Sequence, residues 1–183
     1  RENVGANVYN RAFNSTYAGG DGKELCATDH PSLSGSQSNE LATAADLSEA
    51  SLEDITIQIM NAVNSKGLKI SLRPKSLIVP TALVYDAQRI LQSTLQSGTA
   101  NNDINALKSM GVIPEVNVNH YFTDSDAWFV RTNAPMGICW FDREGIEFKQ
   151  DSDFDTDNAK AKAYMRFTTL WGDWRAVYGT PGA

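Results

Sequence analysis

The chain has 183 residues, of which 42% are hydrophobic and 21% charged, enough for one or two domains with a buried core. This composition excludes a disordered chain, a collagen and a disulfide scaffold. The 16 Lys and Arg residues stand against 22 Asp and Glu, and a formal charge of −6 argues against a free-standing nucleic-acid binder. Apolar runs fall far short of the roughly 20 residues of a membrane span, so we expect no membrane partner.

The first part of the chain shows little regular pattern. A helical end is indicated near residues 6–13, and turn-forming residues dominate from there to Asn39. A loop this long usually reaches outward, because its backbone groups need partners that it cannot supply locally. We therefore expect residues 15–39 to form an extended contact arm that packs poorly on its own subunit and is ordered by a neighbour. Deleting residues 18–33 should then abolish assembly but leave folding intact.

The strongest helical pattern follows this loop. It predicts one continuous helix over residues 48–66, with a capping signature that begins at Ser51 and a stop at Gly67. Apolar residues recur at helical spacing and should all be buried: Leu52, Ile55, Ile59 and Val63.

Two short strands and a second helix are predicted next. Residues 68–73 alternate between apolar and polar, as in a half-buried strand that ends at Pro74, and residues 76–79 form an apolar strand. Pro80 is placed where it can open a helix. The predicted core face of that helix comprises Leu83, Val84, Ala87, Ile90, Leu91 and Leu95.

The remainder of the chain is predicted to be mostly β-structure. Separate strands are expected within residues 112–122 and at residues 128–131, 137–141 and 146–149, divided by turn formers such as those at 142–145. A long strand is expected over residues 160–169, where apolar and polar side chains alternate with a period of two. One face of this strand presents Lys160, Lys162 and Arg166. These cations fit either a solvated edge protected by lysine or contact with a negatively charged neighbour.

Candidate catalytic and metal-binding residues are few. His120, Asp124 and Asp126 would furnish two or three metal ligands, and His30 beside Asp29 another, but the spacing does not specify that they meet. Two histidines leave little material for acid–base chemistry. We therefore predict no enzyme activity and assign no catalytic, cofactor-binding or metal-binding residue. A small metal-dependent hydrolase built on His120, Asp124 and Asp126 is kept as the alternative of another class.

Two further motifs are incomplete. Residues 19–23 look like a phosphate loop, but Glu24 stands where Ser or Thr belongs. Alternating carboxylates at Asp151, Asp153, Asp155 and Asp157 resemble the start of a calcium loop whose later ligands are missing, which favours a solvated acidic turn.

Cys26 and Cys139 belong to no CxxC or Cys/His cluster. This spacing makes a zinc site improbable. We expect two free thiols and no disulfide between them.

A family resemblance depends on many short stretches taken in order. They are residues 8–13 (VYNRAF), 20–25 (GDGKEL), 29–31 (DHP), 38–39 (SN), 47–62 leading into 77–80 (LIVP), 126–129 (DAWF), 154–158 (FDTDN), 160–166 and 174–179 (WRAVYG). Together they resemble the major capsid protein of tailed bacteriophages, with its HK97-like fold, and in particular the Mu-like head-subunit branch.

This resemblance implies an α+β subunit with two domains. Residues 1–73 and 142–183 resemble the peripheral domain, with its extended loop at about 15–39, its long spine helix at about 48–66 and its return strands. Residues 74–141 resemble the axial domain around the capsomer axis. The chain begins at Arg1 and lacks the N-terminal arm of the family, as expected of a processed or truncated product.

The resemblance also implies a function. Family members self-assemble into pentamers and hexamers that tile an icosahedral head around double-stranded DNA. The expected partners are therefore other copies of the chain, together with a scaffold, a portal, a maturation protease and packaged DNA bound non-specifically. We expect assembly in the host cytoplasm and a final location in the virion. An encapsulin-type compartment, which shares the fold and encloses protein cargo, is the nearest rival.

Overall fold

The computed structural model describes residues 2–96, 103–152 and 159–183. Within these residues the fold is α+β, with a mixed four-stranded sheet and a separate two-stranded ribbon. Asp153, Asp155 and Asp157 of the calcium-like pattern lie outside the described residues.

The helices and strands alternate irregularly along the chain. The helices are α1 (Glu2–Asn10), α2 (Glu49–Met60), α3 (Val84–Gln92) and α4 (Ala106–Met110). The strands are β1 (Pro74–Pro80), β2 (Glu115–Asn119), β3 (Trp128–Thr132), β4 (Ile138–Ser152), β5 (Ala159–Trp171) and β6 (Val177–Thr180). The sheet has the order β2-β1-β3-β6, in which β1 and β2 are parallel and the other pairs antiparallel. The ribbon is the antiparallel pair β4–β5.

Strands β1, β3 and β6 of the four-stranded sheet are buried on both faces, whereas the edge strand β2 is largely exposed. Successive residues of a strand point to opposite sides, and neighbouring positions of β1, β3 and β6 accordingly enter two different hydrophobic clusters. One cluster packs the sheet against α2 and α3 and includes Leu52, Ile55, Ile59, Leu77, Val79, Ala87, Leu91, Trp128, Val130 and Tyr178. The other includes Val8, Ala12, Leu25, Cys26, Ile78, Phe129 and Val177. The second face is thus covered by α1 and by the segment that follows it.

The loop over residues 15–39 was predicted to pack poorly on its own subunit, and part of it nevertheless does pack there. Leu25, Cys26 and Ala27 are buried under the sheet, and His30 and Asn39 are fully buried. Leu33 remains exposed at a turn. The central part of the loop is packed because Leu25 and Cys26 join α1 in covering the second sheet face.

Helix α2 lies where it was predicted but is shorter. Its N-cap is Ser48, whose hydroxyl accepts a hydrogen bond from the Ser51 amide, while the Ser51 hydroxyl accepts one from the Ser48 amide. Ser51 is thus the third residue of the first turn and not the cap. The helix ends at Met60 rather than at residue 66. Leu52, Ile55 and Ile59 are fully buried, as predicted, whereas Val63, the fourth residue of the predicted stripe, is only half-buried.

A turn replaces the predicted last part of this helix and the predicted strand at 68–73. Val63 forms an isolated antiparallel bridge with Lys69, and Gly67 closes the turn with a φ of 81°. The Ile70 amide donates to the Ala62 carbonyl. This reversal leads the chain into β1, which begins at Pro74, the residue predicted to end a strand.

Helix α3 also ends earlier than its apolar pattern suggested. Pro80 is followed by a 3₁₀ turn at Thr81–Leu83, and the helix proper buries Ala87 and Leu91. Ser93 has a ψ of 136°, which ends the helix. Leu95 therefore lies outside it and is exposed.

Strand β4 joins two strands that were predicted to be separate. It runs for 15 residues, and the turn formers at 142–145 are accommodated by register irregularities between Asp142, Glu144 and Glu147. Such bulges add residues to one strand without ending the pairing. The other predicted strands appear as β2, β3 and β5, although β2 is limited to five residues.

Burial of tyrosine makes the fold sensitive to alkaline pH. Burial raises the pKa of Tyr178 to about 12 from its ordinary value of 10. Below pH 10 both states keep the phenol proton, but between pH 10 and 12 only the folded state does, so stability falls as pH rises. Two pKa units correspond to about 2.7 kcal/mol.

We therefore expect Tyr178→Phe to reduce the loss of stability between pH 8 and 12 by up to about 2.7 kcal/mol. Urea unfolding across this range measures it. Tyr85→Phe, on the exposed surface of α3, is the matched control and should leave the loss as in the wild type. If the free energy of unfolding falls equally with pH in the wild type and in Tyr178→Phe, the raised pKa of Tyr178 is not the cause of the alkaline sensitivity.

Candidate assembly surface

The residues considered for a metal-dependent hydrolase are not brought together as a metal site. His120, Asp124 and Asp126 are all exposed. The Asp124 carboxylate accepts a hydrogen bond from the Asp126 amide at 3.0 Å, as in a turn. Among the residues that the structure describes, no group of three or more His, Cys, Asp or Glu side chains is placed as a metal-binding cluster.

His30 has a structural environment instead. Its Nδ1 lies 2.6 Å from the Asp21 carboxylate, and its Nε2 lies 3.0 Å from the Asn39 side-chain oxygen. The ring stacks on Trp174, with ring centroids 4.2 Å apart. Asp29, the expected neighbour, pairs with Lys23. These contacts hold the loop against the sheet.

The glycine-rich segment and the cysteines also have local roles. The Gly19 amide donates to the Lys23 carbonyl at 2.7 Å, so the segment closes on itself as a turn. Cys26 and Cys139 are free thiols. Burial raises the pKa of the Cys26 thiol well above its ordinary value, which keeps it protonated and unreactive.

The most exposed apolar structure in the described residues is the β4–β5 ribbon. Its base packs on the body of the subunit, because Trp140 lies against Gly5 of α1 and Trp171 lies against Gly19. Within the ribbon, Trp140 stacks on Phe167 with ring centroids 4.3 Å apart. A Cβ atom at position 19 would lie 2.6 Å from the Trp171 indole nitrogen, so only glycine permits this contact. Beyond the base, the ribbon is largely exposed.

The two faces of the ribbon differ in chemistry. Paired residues of an antiparallel ribbon share a face, and alternate residues of a strand share a face. One face is mostly apolar and carries Trp140, Phe148, Ala159, Ala161, Ala163, Met165 and Phe167. The other face is charged and carries Glu144, Glu147, Lys149, Asp151, Lys160, Lys162, Tyr164 and Arg166.

The cations on β5 have acidic neighbours within the same ribbon. Arg166 lies 3.7 Å from Glu144, and Lys160 stands opposite Asp151 in the register. On β4, Lys149 lies 3.6 Å from Glu147. The negatively charged neighbour considered for this strand is therefore supplied, at least for Arg166, by β4 of the same chain. This leaves the apolar face as the feature without an explanation inside the subunit.

The sequence pattern of β5 marks this surface, but the prediction considered only the cationic residues of the strand and not the apolar residues between them. Alternation over β5 marks the cations and, equally, the small and apolar residues between them, such as Ala161, Ala163 and Met165. An apolar ribbon face outside the core cannot be recognised from alternation alone, because the same pattern describes a strand packed on a core.

A mixed α+β domain with an exposed amphipathic ribbon is typical of a subunit built to associate with others. The family comparison names the kind of assembly. Residues 2–180 match the family model described as phage capsid protein, and the chain therefore belongs to this family of capsid proteins.

The structural comparison gives a distant neighbour. The virus-like particle from Pyrococcus furiosus shares 9% sequence identity, with a TM-score of 0.44, and the match covers 77% of this chain and 55% of that one. The chain thus spans little more than half the length of the solved shell protein it matches. No curated protein sequence matches the chain. Among the helices of the described segments, none has the length and hydrophobicity to cross a bilayer.

Proposed function

We propose that the chain is the structural subunit of an icosahedral phage head, assembled from pentamers and hexamers around double-stranded DNA. The observation that carries this proposal is the family match over residues 2–180. The exposed ribbon supports it, because a shell subunit must present surface that only other subunits cover. In this arrangement residues 74–141 lie around the capsomer axis, and the flanking segments lie at the capsomer periphery.

The charge of the chain suits a container more than a DNA-binding protein. A formal charge of −6 gives no general attraction to phosphate, so packaged DNA is held by the closed wall and contacted without sequence preference. Shell stability then depends on many modest interfaces repeated by symmetry. The other proposed partners are a scaffold, a portal and a maturation protease.

Electron microscopy and sedimentation of the full-length protein, expressed together with its neighbouring head genes, test this function. We expect closed, roughly spherical shells that sediment as one large species. Nuclease-protected double-stranded DNA in the isolated particles identifies a phage head, whereas shells with protein cargo and no nucleic acid identify an encapsulin-type compartment. Protein that stays monomeric at high concentration would contradict both forms of the shell proposal.

A further inference from the structure

We propose that the outer apolar face of the ribbon packs against a second copy of this chain in the assembled shell. The outer apolar face is defined as Phe148, Ala159, Ala161, Ala163 and Met165, and in the register Gln150 and Ser152 stand opposite Ala161 and Ala159 on the same face. This inference rests on the proposed shell function and adds the surface and the partner through which one contact is made.

The isolated subunit leaves this face without cover. The Phe148 side chain is 79% exposed, and the three alanines are exposed as well. A two-stranded ribbon is at best marginally stable in water unless its hydrophobic face packs on something. At the base of the ribbon this packing is provided by Gly5 of α1 and by Gly19. Farther out, Met165 is half-buried, whereas Phe148 and the three alanines are exposed. The working state of the protein must therefore supply a cover for the outer part.

The size of the face fits one contact among several. The part of β5 from Ala159 to Arg166 is about 26 Å long at about 3.3 Å per residue, and two strands are about 10 Å wide, so the outer face measures roughly 260 Å². One partner in a standard interface buries about 800 Å². The ribbon therefore supplies about a third of such an interface, and neighbouring surfaces supply the rest.

The chemistry of the face selects a protein surface over DNA. DNA presents phosphates, which call for cations and amide donors. The cations Lys160, Lys162 and Arg166 lie on the opposite face, which they share with Glu144 and three other acidic or basic residues of β4. Every subunit of a shell carries its own ribbon and so requires an equal number of covering surfaces. A symmetric assembly of identical chains provides this number.

The first test replaces Phe148 by glutamate in the full-length protein. Because Phe148 makes little contact inside the subunit, we expect the thermal unfolding of dissociated subunits to stay within about 3 °C of the wild type, while shell formation in sedimentation and electron microscopy falls at least tenfold. The matched control is Leu33→Glu, which makes the same change at a side chain that is 85% exposed on the loop. The control should assemble like the wild type.

A second measurement does not depend on how Phe148→Glu folds. In a Cys139→Ser background the remaining native thiol, Cys26, is buried. Cysteine introduced by Phe148→Cys should react with a maleimide at least tenfold more slowly in intact shells than in dissociated subunits. Leu33→Cys should react alike in both states.

The outcomes separate this inference from the proposed function. If the wild type forms no shells, the shell function fails and the inference fails with it. If the wild type forms shells, normal assembly of Phe148→Glu or equal labelling of Phe148→Cys in shells and subunits overturns the ribbon contact alone. Loss of assembly in Leu33→Glu but not in Phe148→Glu would also overturn it and would place the neighbour contact on the loop.

Discussion

Replacing Asn39 by alanine should lower the free energy of unfolding by about 4 kcal/mol or more. The Asn39 side chain is fully buried, and its amide nitrogen lies 2.7 Å from the carbonyls of both Leu25 and Val177 and 3.2 Å from that of Trp174. Its oxygen accepts from the Ala27 amide and from Nε2 of His30. Alanine removes all five of these contacts, and each buried group that is left unsatisfied costs about 1–3 kcal/mol.

The measurement is urea unfolding at pH 7, with Asn117→Ala as the matched control. Asn117 is an exposed asparagine on β2, so its replacement should change stability by less than about 0.5 kcal/mol. A loss below about 1 kcal/mol for Asn39→Ala would mean that water or rearrangement replaces these hydrogen bonds. The loop would then be held by Leu25 and its neighbours alone.

The same contacts explain why the packing of the loop could not be predicted from the sequence. Gly, Ser and Asn residues along 15–39 correctly indicate turns, because these residues favour turn conformations locally. The partners of Asn39 at Trp174 and Val177 lie 135 and 138 positions away. Nothing in a local pattern reveals a hydrogen bond over that distance, so a turn-rich segment with a buried amide looks the same as an exposed arm.

Regular periodicity, by contrast, was sufficient for most of the sheet and helices. The positions of α2, α3, β1, β3 and β5 follow from apolar spacing, because core burial imposes that spacing. Their ends depended on details that spacing does not contain. Val63 continues the stripe of α2 in sequence, yet it leaves the helix because the chain reverses through Gly67 toward β1. The turn formers within β4 were absorbed by bulges, which the exposed ribbon tolerates.

The exposed surface was the least predictable part. The resemblance to capsid proteins indicated that a neighbour contact exists and assigned it to residues 15–39. The structure buries the central part of that segment, Leu25 to Ala27, together with His30 and Asn39, and it exposes the outer part of a different segment, the β4–β5 ribbon. Which of two irregular or amphipathic segments covers the core is decided by the packing of the whole chain and not by either segment alone.

Two large deletions should therefore have opposite effects. Removing residues 18–33 should unfold the protein, because it takes away Leu25, Cys26, Ala27 and His30, all buried. Burial of one leucine-sized side chain contributes about 1.5–3 kcal/mol, and a domain has only about 5–15 kcal/mol in total. We expect no cooperative thermal transition and loss of near-ultraviolet circular dichroism.

Shortening the ribbon should instead leave the body folded and prevent assembly. Asp142 and Phe167 face each other in the register, so replacing residues 143–166 with Asn-Gly places a two-residue hairpin turn between paired positions. The stacking of Trp140 on Phe167 and the packing of Trp171 on Gly19 lie on the retained side of the cut. The melting temperature of the dissociated subunit should stay within about 5 °C of the wild type, an energetic change of about 2 kcal/mol.

Comparison of the two deletions decides which segment is needed for folding of the subunit and which is needed for assembly of the shell. Circular dichroism and thermal melting report the fold, and sedimentation with electron microscopy reports the shells. In the reverse pattern, the loop deletion folds but does not assemble, and the ribbon-shortened protein forms normal shells. That result would show that residues 15–39 make the contact with the neighbouring subunit. Cooperative folding of the loop deletion alone would show that α1 suffices to cover the second face of the sheet, where Ile78, Phe129 and Val177 lie.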